Sequence, residues 1–307
     1  MAEEVDSGRT DAGRGEGRGA VLPAPGGPAL GRDPTAAAPR LALAAELAAL
    51  YARLPEVEGV AISGSAVSGL ADAASDLDLY VYVTAEPPLA PRLAIASSRA
   101  SRPEVGNRFF EPGDEWVERG SGTPVDVMFR PTGWIEERLA AVLDRHEAST
   151  GYTTCLWHSV AAARALFDRS GFLARLEETA ARAYPEKLRR AIVAKNHPLL
   201  RGKLSSYVDQ LELSLRRDDA VSVNHRLSAL LASVFDVLFA LNRVTHPGEK
   251  RLLALAEERC PLRPPELGAS VRSLLSLGGR GEPGTLPAVR SLLDSLDGLL
   301  EQEGLLP

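Results

Sequence analysis

Three aspartates lie on apolar, strand-like segments of this chain. Asp76 and Asp78 begin the alternating run 76–83, and Asp126 lies in the middle of the apolar run 123–129. Residues two apart on a strand point to the same face, so Asp76 and Asp78 are predicted to project side by side. Neighbouring carboxylates repel each other unless a cation lies between them. Three such oxygen donors without basic neighbours suit Mg²⁺, and two Mg²⁺ ions can activate a hydroxyl and neutralise a transferring phosphoryl group.

A short loop of small residues precedes the aspartates. Gly64 and Ser65 follow the β-like run 59–62, and we expect a helix to begin just after them. Small residues let a backbone approach a phosphate, and a helix N-terminus offers free N–H groups to bind it. The loop is not a Walker loop, because no Gly-Lys-Ser/Thr follows. It predicts a phosphate-binding site beside the carboxylates.

The elements that must position these residues change in type along the chain. Residues 1–38 are rich in Gly, Ala, Pro and Arg and contain few large apolar residues, which predicts a disordered tail. A helix is predicted up to Pro55, followed by strands at 59–62, 76–83 and 123–129. The segment 84–123 gives no clear pattern. After Trp134 the pattern is helical, with helices predicted at 135–143, 153–167, 171–183, 186–195, 204–215, 221–243 and 288–303.

Composition limits the function classes. The 307 residues carry a net charge of -6, which counts against a broad nucleic-acid-binding surface. The two cysteines have no metal-ligand spacing and favour a reducing cytoplasm. The first residues show no apolar run of signal-peptide length, and the most apolar region, 227–241, contains Asp236, so no membrane partner is expected.

The combination of motifs resembles the polymerase-β-like nucleotidyltransferase superfamily. A Gly-Ser, ten intervening residues and Asp-Leu-Asp-Leu match its signature over about residues 57–130. The resemblance implies that Gly64 and Ser65 contact a triphosphate, that Asp76 and Asp78 bind metal, and that Asp126 completes the site. A helical part after the catalytic core is similar to the aminoglycoside-adenylyltransferase-like branch, in which that part helps to bind the acceptor.

A closer likeness extends further along the chain. The stretches 110–116 and 246–250 look like those of uncharacterised bacterial members whose C-terminal part is a domain of unknown function. This likeness covers most of residues 57–253 and implies no particular substrate.

Several other polar residues have two possible roles. Glu111, Asp114 and Glu115 lie between the acid-bearing strands, and we choose Glu111 as the general base that takes the acceptor proton. Asp236 either helps to bind an acceptor or, as we slightly favour, forms an internal ion pair with His225 or Arg243. Four basic residues are candidates for the triphosphate or the acceptor, although such residues mostly face water: Lys195, Arg201, Lys203 and Lys250.

These observations predict an α+β protein. A nucleotidyltransferase catalytic domain with a small mixed sheet occupies residues 39–148, and a helical, acceptor-binding domain occupies residues 149–307. The expected reaction moves AMP from ATP, with Mg²⁺, to a hydroxyl of a small and cationic acceptor and releases pyrophosphate. The alternatives are a non-catalytic nucleotide-binding or antitoxin-like module and an enzyme that modifies RNA or protein.

Overall fold

The computed structural model describes residues 34–64, 75–100 and 102–306. The described residues belong to one compact unit. Most of the predicted N-terminal tail, residues 1–33, lies outside the described residues, and so does Ser65. The first helix, α1, begins at Pro34 and therefore includes the last five residues assigned to that tail.

A mixed sheet forms the first half of the fold, which confirms the predicted α+β class. Within the described residues it has six strands in the order β3-β4-β5-β2-β1-β6, of which β2 and β5 run parallel and the other neighbouring pairs run antiparallel. The strands are β1 (Val57–Ile62), β2 (Leu77–Val83), β3 (Glu104–Asn107), β4 (Gly113–Val117), β5 (Pro124–Pro131) and β6 (Arg164–Asp168).

The two-residue alternation along β2 divides the sheet into two faces. Leu77, Leu79 and Val81 pack in one core cluster with helix α1, which buries residues at the helical spacing 44, 47, 48 and 51. Tyr80 and Tyr82 point to the opposite face and pack in a second cluster with several later helices. Asp78 shares this second face, because it lies two residues before Tyr80.

Helices make up most of the remaining fold. The longest of them, α8 (Ala220–Leu241), lies at the centre of a third core cluster formed by the C-terminal helices. The helices are α1 (Pro34–Tyr51), α2 (Leu89–Arg99), α3 (Thr132–Leu143), α4 (Cys155–Ala162), α5 (Phe172–Ala180), α6 (Glu186–His197), α7 (Tyr207–Arg216), α8 (Ala220–Leu241), α9 (Leu252–Arg259), α10 (Leu267–Gly279) and α11 (Thr285–Gln302), with a π-helical turn at Pro198–Gly202 after α6.

Two segments differ from the sequence-based expectations. The segment 84–123, which gave no clear pattern, contains α2, β3 and β4. The helix predicted at 153–167 ends at Ala162, and β6 follows it and pairs with β1. This pairing explains why the helix is shorter than predicted. The edge of β1 can hydrogen-bond to another strand but not to a helix, so the residues of β6 form a strand. The predicted domain boundary near residue 148 stays a prediction.

Among the described residues, α8 is the one helix that is long and apolar enough to cross a membrane by length and composition. Within its most apolar window, 67% of the residues are buried inside the protein. We therefore interpret α8 as a core helix, and no membrane span is indicated.

Candidate active site

The parallel pairing of β2 and β5 brings two predicted site residues together. Asp78 lies directly opposite Asp126 in the register of these strands. On the other side of β5, Glu115 of β4 lies opposite Asp126, and Glu104 of β3 lies opposite Glu115. Residues directly opposite each other project from the same face of a sheet. Four carboxylates therefore form one row across four strands, and we call it the acidic row.

The acidic row is partly buried, and its carboxylates repel one another. Burial raises the pKa of Asp126 to about 6, and the nearby charges of Glu115, Asp78 and Asp76 add to this shift. The pKa of Asp78 is also raised, first by burial and then by the charge of Asp76, whereas Lys250 and Arg130 act in the opposite direction. Both acids thus lie where positive charge would be stabilised.

Gly64 is packed directly against one end of the acidic row. A Cβ atom at this position would lie 2.0 Å from Oδ2 of Asp78, and the backbone of Gly64 has a φ of +70°. Only glycine combines this conformation with so close an approach. Gly64, shortly after β1, therefore lies against a predicted metal-binding carboxylate, as the sequence motif requires.

Asp76 lies immediately before β2, not within it, and it has a basic partner from the second half of the chain. Nζ of Lys250 lies 3.5 Å from Oδ2 of Asp76, and the two side chains are 77% and 40% exposed. Of the four basic candidates, Arg201 instead pairs with Asp294 and Asp297.

Glu111, the predicted general base, is engaged by an arginine. Its two carboxylate oxygens accept hydrogen bonds from Nε and Nη2 of Arg130, each at 2.7 Å. Arg130 is 4% exposed and stacks on the ring of Tyr80, with 3.6 Å between Cζ and the ring centroid. A proton taken by Glu111 would break a charged pair that holds a buried guanidinium, so the structure disfavours Glu111 as the base.

The other two acids of this interval differ sharply in position. Asp114 is fully buried on the opposite face of β4, where both of its oxygens accept hydrogen bonds from Arg92 at 2.6 and 3.0 Å. Glu115 is exposed, and one of its oxygens accepts a hydrogen bond from Nδ2 of Asn107. The two-residue alternation of β4 separates them, and only Glu115 joins the acidic row. Strand pairing was the missing signal, because the sequence did not show a strand here.

Asp236 has different partners from those predicted. It is 1% exposed and accepts hydrogen bonds from N and Oγ1 of Thr153 and from Nδ2 of Asn196. Arg243, one predicted partner, pairs with Glu186 instead. Burial raises the pKa of Asp236 to about 6. A side chain so enclosed has no surface for an acceptor, and it serves to join the segment before α4 to α6 and α8.

The residues at the acidic row fit a divalent metal by the chemistry of their donors. Asp76, Asp78 and Asp126 supply carboxylate oxygens, which are the ligands of Mg²⁺, and burial, together with the neighbouring negative charges, raises the pKa of Asp78 and of Asp126. Among the residues that the structure describes, no three acidic, histidine or cysteine side chains are already gathered closely enough to hold a metal ion.

Two protein families match consecutive parts of the chain. Residues 45–146 match the family described as "Nucleotidyltransferase domain", and residues 153–252 match the family described as "Domain of unknown function (DUF4037)". The first match includes Gly64 and the three aspartates, and the second includes Lys250. Both the predicted superfamily and its version with a C-terminal domain of unknown function are confirmed. No curated protein matches the sequence significantly.

The solved structures that match this chain are only distantly similar to it in sequence and in structure. A nucleotidyltransferase-like protein from Exiguobacterium sibiricum is 14% identical, with a TM-score of 0.41, over 86% of this chain and 75% of its own. A STING-associated CdnE c-di-GMP synthase from Capnocytophaga granulosa is 13% identical, with a TM-score of 0.30, over 89% and 84%. A CCA-adding enzyme from Thermotoga maritima, complexed with tRNA, is 14% identical, with a TM-score of 0.27, over 90% and 83%. Similarities of this size do not indicate a shared substrate.

Proposed function

We propose that this nucleotidyltransferase, whose catalytic domain is the one matched by residues 45–146, transfers AMP from ATP to a hydroxyl of a small cationic acceptor. The observation that carries the proposal is the acidic row, in which Asp78 and Asp126 face each other next to Gly64. Facing carboxylates beside a glycine without a side chain suit phosphoryl chemistry, where positioning and charge neutralisation supply most of the catalysis.

Each residue has a role in the proposed site. Asp76 and Asp78 would hold two Mg²⁺ ions, and Asp126 would share the one nearer the acceptor. When bound, the ions neutralise charge on the phosphates and favour ionisation of the attacking hydroxyl. The backbone at Gly64 approaches the β- and γ-phosphates, because no side chain obstructs it. Ser65 is proposed to add a hydroxyl contact.

The reaction is a displacement at the α-phosphorus. The acceptor oxygen bonds to that phosphorus, the bond to the oxygen that bridges the α- and β-phosphates breaks, and pyrophosphate leaves with that oxygen. The hydroxyl proton passes to a carboxylate, for which we propose Glu115, because it faces Asp126 and is exposed to an incoming acceptor. Glu111 is assigned a positioning role through Arg130 instead.

The charge of the site supports a cationic acceptor. The acidic row continues from Asp126 through Glu115 to Glu104 and therefore leads away from the phosphate site as a strip of negative charge. A cationic molecule would be attracted to such a strip, whereas the phosphates of a nucleic acid would be repelled. Both cysteines are free thiols, which supports our placement of the protein in the cytoplasm.

The test is a transfer assay with ATP labelled in the α-phosphate. The protein is incubated with Mg²⁺ and, separately, with a panel of aminoglycosides, with tRNA and with no added acceptor, and labelled products and pyrophosphate are measured. We expect a labelled aminoglycoside, and we expect Asp78→Asn to reduce its formation by at least about 1,000-fold, because a carboxylate that holds the ions is lost. Glu115→Gln is expected to cost about 100-fold, the usual size of a general-base effect.

Glu178→Gln provides the matched control, because Glu178 is an exposed glutamate on α5 outside the acidic row. Its activity is expected to remain within twofold of the wild type. Labelling of tRNA or of the protein itself would replace the small-molecule acceptor with a macromolecule. ATP binding without transfer to any acceptor would favour the non-catalytic nucleotide-binding module. Transfer that survives Asp78→Asn would overturn the site assignment.

A further inference from the structure

The segment 244–251 carries a lysine from the C-terminal half of the chain to Asp76, next to the acidic row. The start of this segment is anchored by His246, which is fully buried between the rings of Tyr152 and Phe239. The backbone N–H of His246 donates to Oγ1 of Thr154 at 2.7 Å. The anchor thus fixes this segment to the start of helix α4.

A tight turn follows the anchor. The N–H of Gly248 donates to Nδ1 of His246 at 3.1 Å, and Gly248 has a φ of +99°. Burial lowers the pKa of His246 to about 4, so the ring is neutral at pH 7 and can accept this bond. The turn directs Lys250 towards Asp76, where its Nζ lies 3.5 Å from Oδ2.

Lys250 occupies a position where a cation is favoured. Its ammonium group lies against the Asp76 carboxylate, and the Asp78 carboxylate adds further negative charge nearby. The ion pair is nevertheless exposed on both sides, and exposed pairs are weak. A doubly charged ion can therefore replace this contact at low cost.

We propose that Lys250 is an internal counter-ion for Asp76 and that a divalent cation displaces it when the site is loaded. This inference rests on the proposed function, because it takes Asp76 to be a metal ligand. The exchange makes loading of the catalytic domain release the end of a segment that is anchored beside α4 and α8. Lys250 is a positioning residue in this scheme.

The experiment measures Mn²⁺ affinity of the full-length protein, without nucleotide, from the paramagnetic resonance signal of free Mn²⁺. Lys250→Met is expected to bind Mn²⁺ about two- to fivefold more tightly than the wild type, because the ion no longer competes with the ammonium group. Lys250→Arg should stay close to the wild type. Lys187→Met removes another exposed lysine, on α6, and should leave the affinity unchanged.

A second pair of variants separates displacement from the general effect of a nearby positive charge. In an Asp76→Asn background, Lys250→Met should no longer raise the affinity, because the competing contact is already lost. A gain of the same size in that background would overturn the exchange, and so would an unchanged or lower affinity in Lys250→Met alone. If the wild type binds no Mn²⁺, the proposed metal site falls together with the exchange. If the wild type binds Mn²⁺ through Asp78 but Lys250→Met does not change the Mn²⁺ affinity, only the proposed exchange is refuted.

Discussion

Gly64 offers the sharpest test of the site, because alanine at this position has two separable effects. The first is backbone strain: a residue with a Cβ atom at φ near +70° costs about 1–2 kcal/mol. The second is a clash, since the new Cβ would lie 2.0 Å from Oδ2 of Asp78, whereas ordinary contact begins at 3.4 Å. The Asp78 carboxylate must therefore move by more than 1 Å.

The displacement has a predictable cost for catalysis. A misplacement of about 1 Å in a catalytic group can cost about 100-fold in rate, so kcat/KM of Gly64→Ala is expected to fall by about that factor. Mn²⁺ affinity should fall as well, because Asp78 is one of the proposed ligands. The assays are the labelled-ATP transfer, the Mn²⁺ titration and thermal unfolding of the same protein preparation.

Gly122 supplies the matched control. It also has a φ of +70°, but an added Cβ would meet nothing within 4 Å. Gly122→Ala should therefore lose a similar amount of stability, about 1–2 kcal/mol, while its activity and Mn²⁺ affinity remain within twofold of the wild type. If Gly64→Ala retains activity and Mn²⁺ binding to the same extent as Gly122→Ala, the contact between Gly64 and Asp78 does not matter and the reasoning is refuted.

Two further substitutions test the electrostatics of the site. The pKa of Asp126 is about 3.9 in an unfolded chain and is raised to about 6 in the folded protein, so the fold favours the protonated carboxyl. The contribution of this group to the free energy of unfolding is therefore fully present below pH 4 and is lost as the pH rises through 6. In EDTA at pH 7.5, Asp126→Asn should consequently have a larger free energy of unfolding than the wild type, by on the order of 1 kcal/mol after allowance for solvent screening. The difference should vanish near pH 4. Equal differences at both pH values would contradict the assignment. Glu111→Gln leaves the buried Arg130 without its charged partner and should destabilise the protein by about 3 kcal/mol in denaturant unfolding, whereas Glu115→Gln should change stability by less than about 0.5 kcal/mol. A Glu111→Gln variant with wild-type stability and a 100-fold lower transfer rate would restore Glu111 as the base.

Local sequence patterns were sufficient for the central elements of the fold. The alternation after Asp76 predicted a strand, and β2 extends over Leu77–Val83. Likewise, the run around Asp126 predicted β5, and the helical spacing predicted most of the later helices. These predictions hold because alternation and 3.6-residue periodicity reflect which side of a single element is buried. The short edge strands β3 and β6 lacked such a pattern, since edge strands expose part of both faces.

The sequence by itself predicted a nucleotidyltransferase, which the match of residues 45–146 to a nucleotidyltransferase domain confirms, and it supplied the three aspartates of the proposed metal site. Only the tertiary structure decided which polar side chains meet them. The strand register placed Glu115 opposite Asp126, Glu111 is paired with Arg130, and the segment anchored by His246 brought Lys250 to Asp76. Such contacts join residues far apart in the chain, so they depend on how whole elements pack and not on the local spacing from which a sequence can be read.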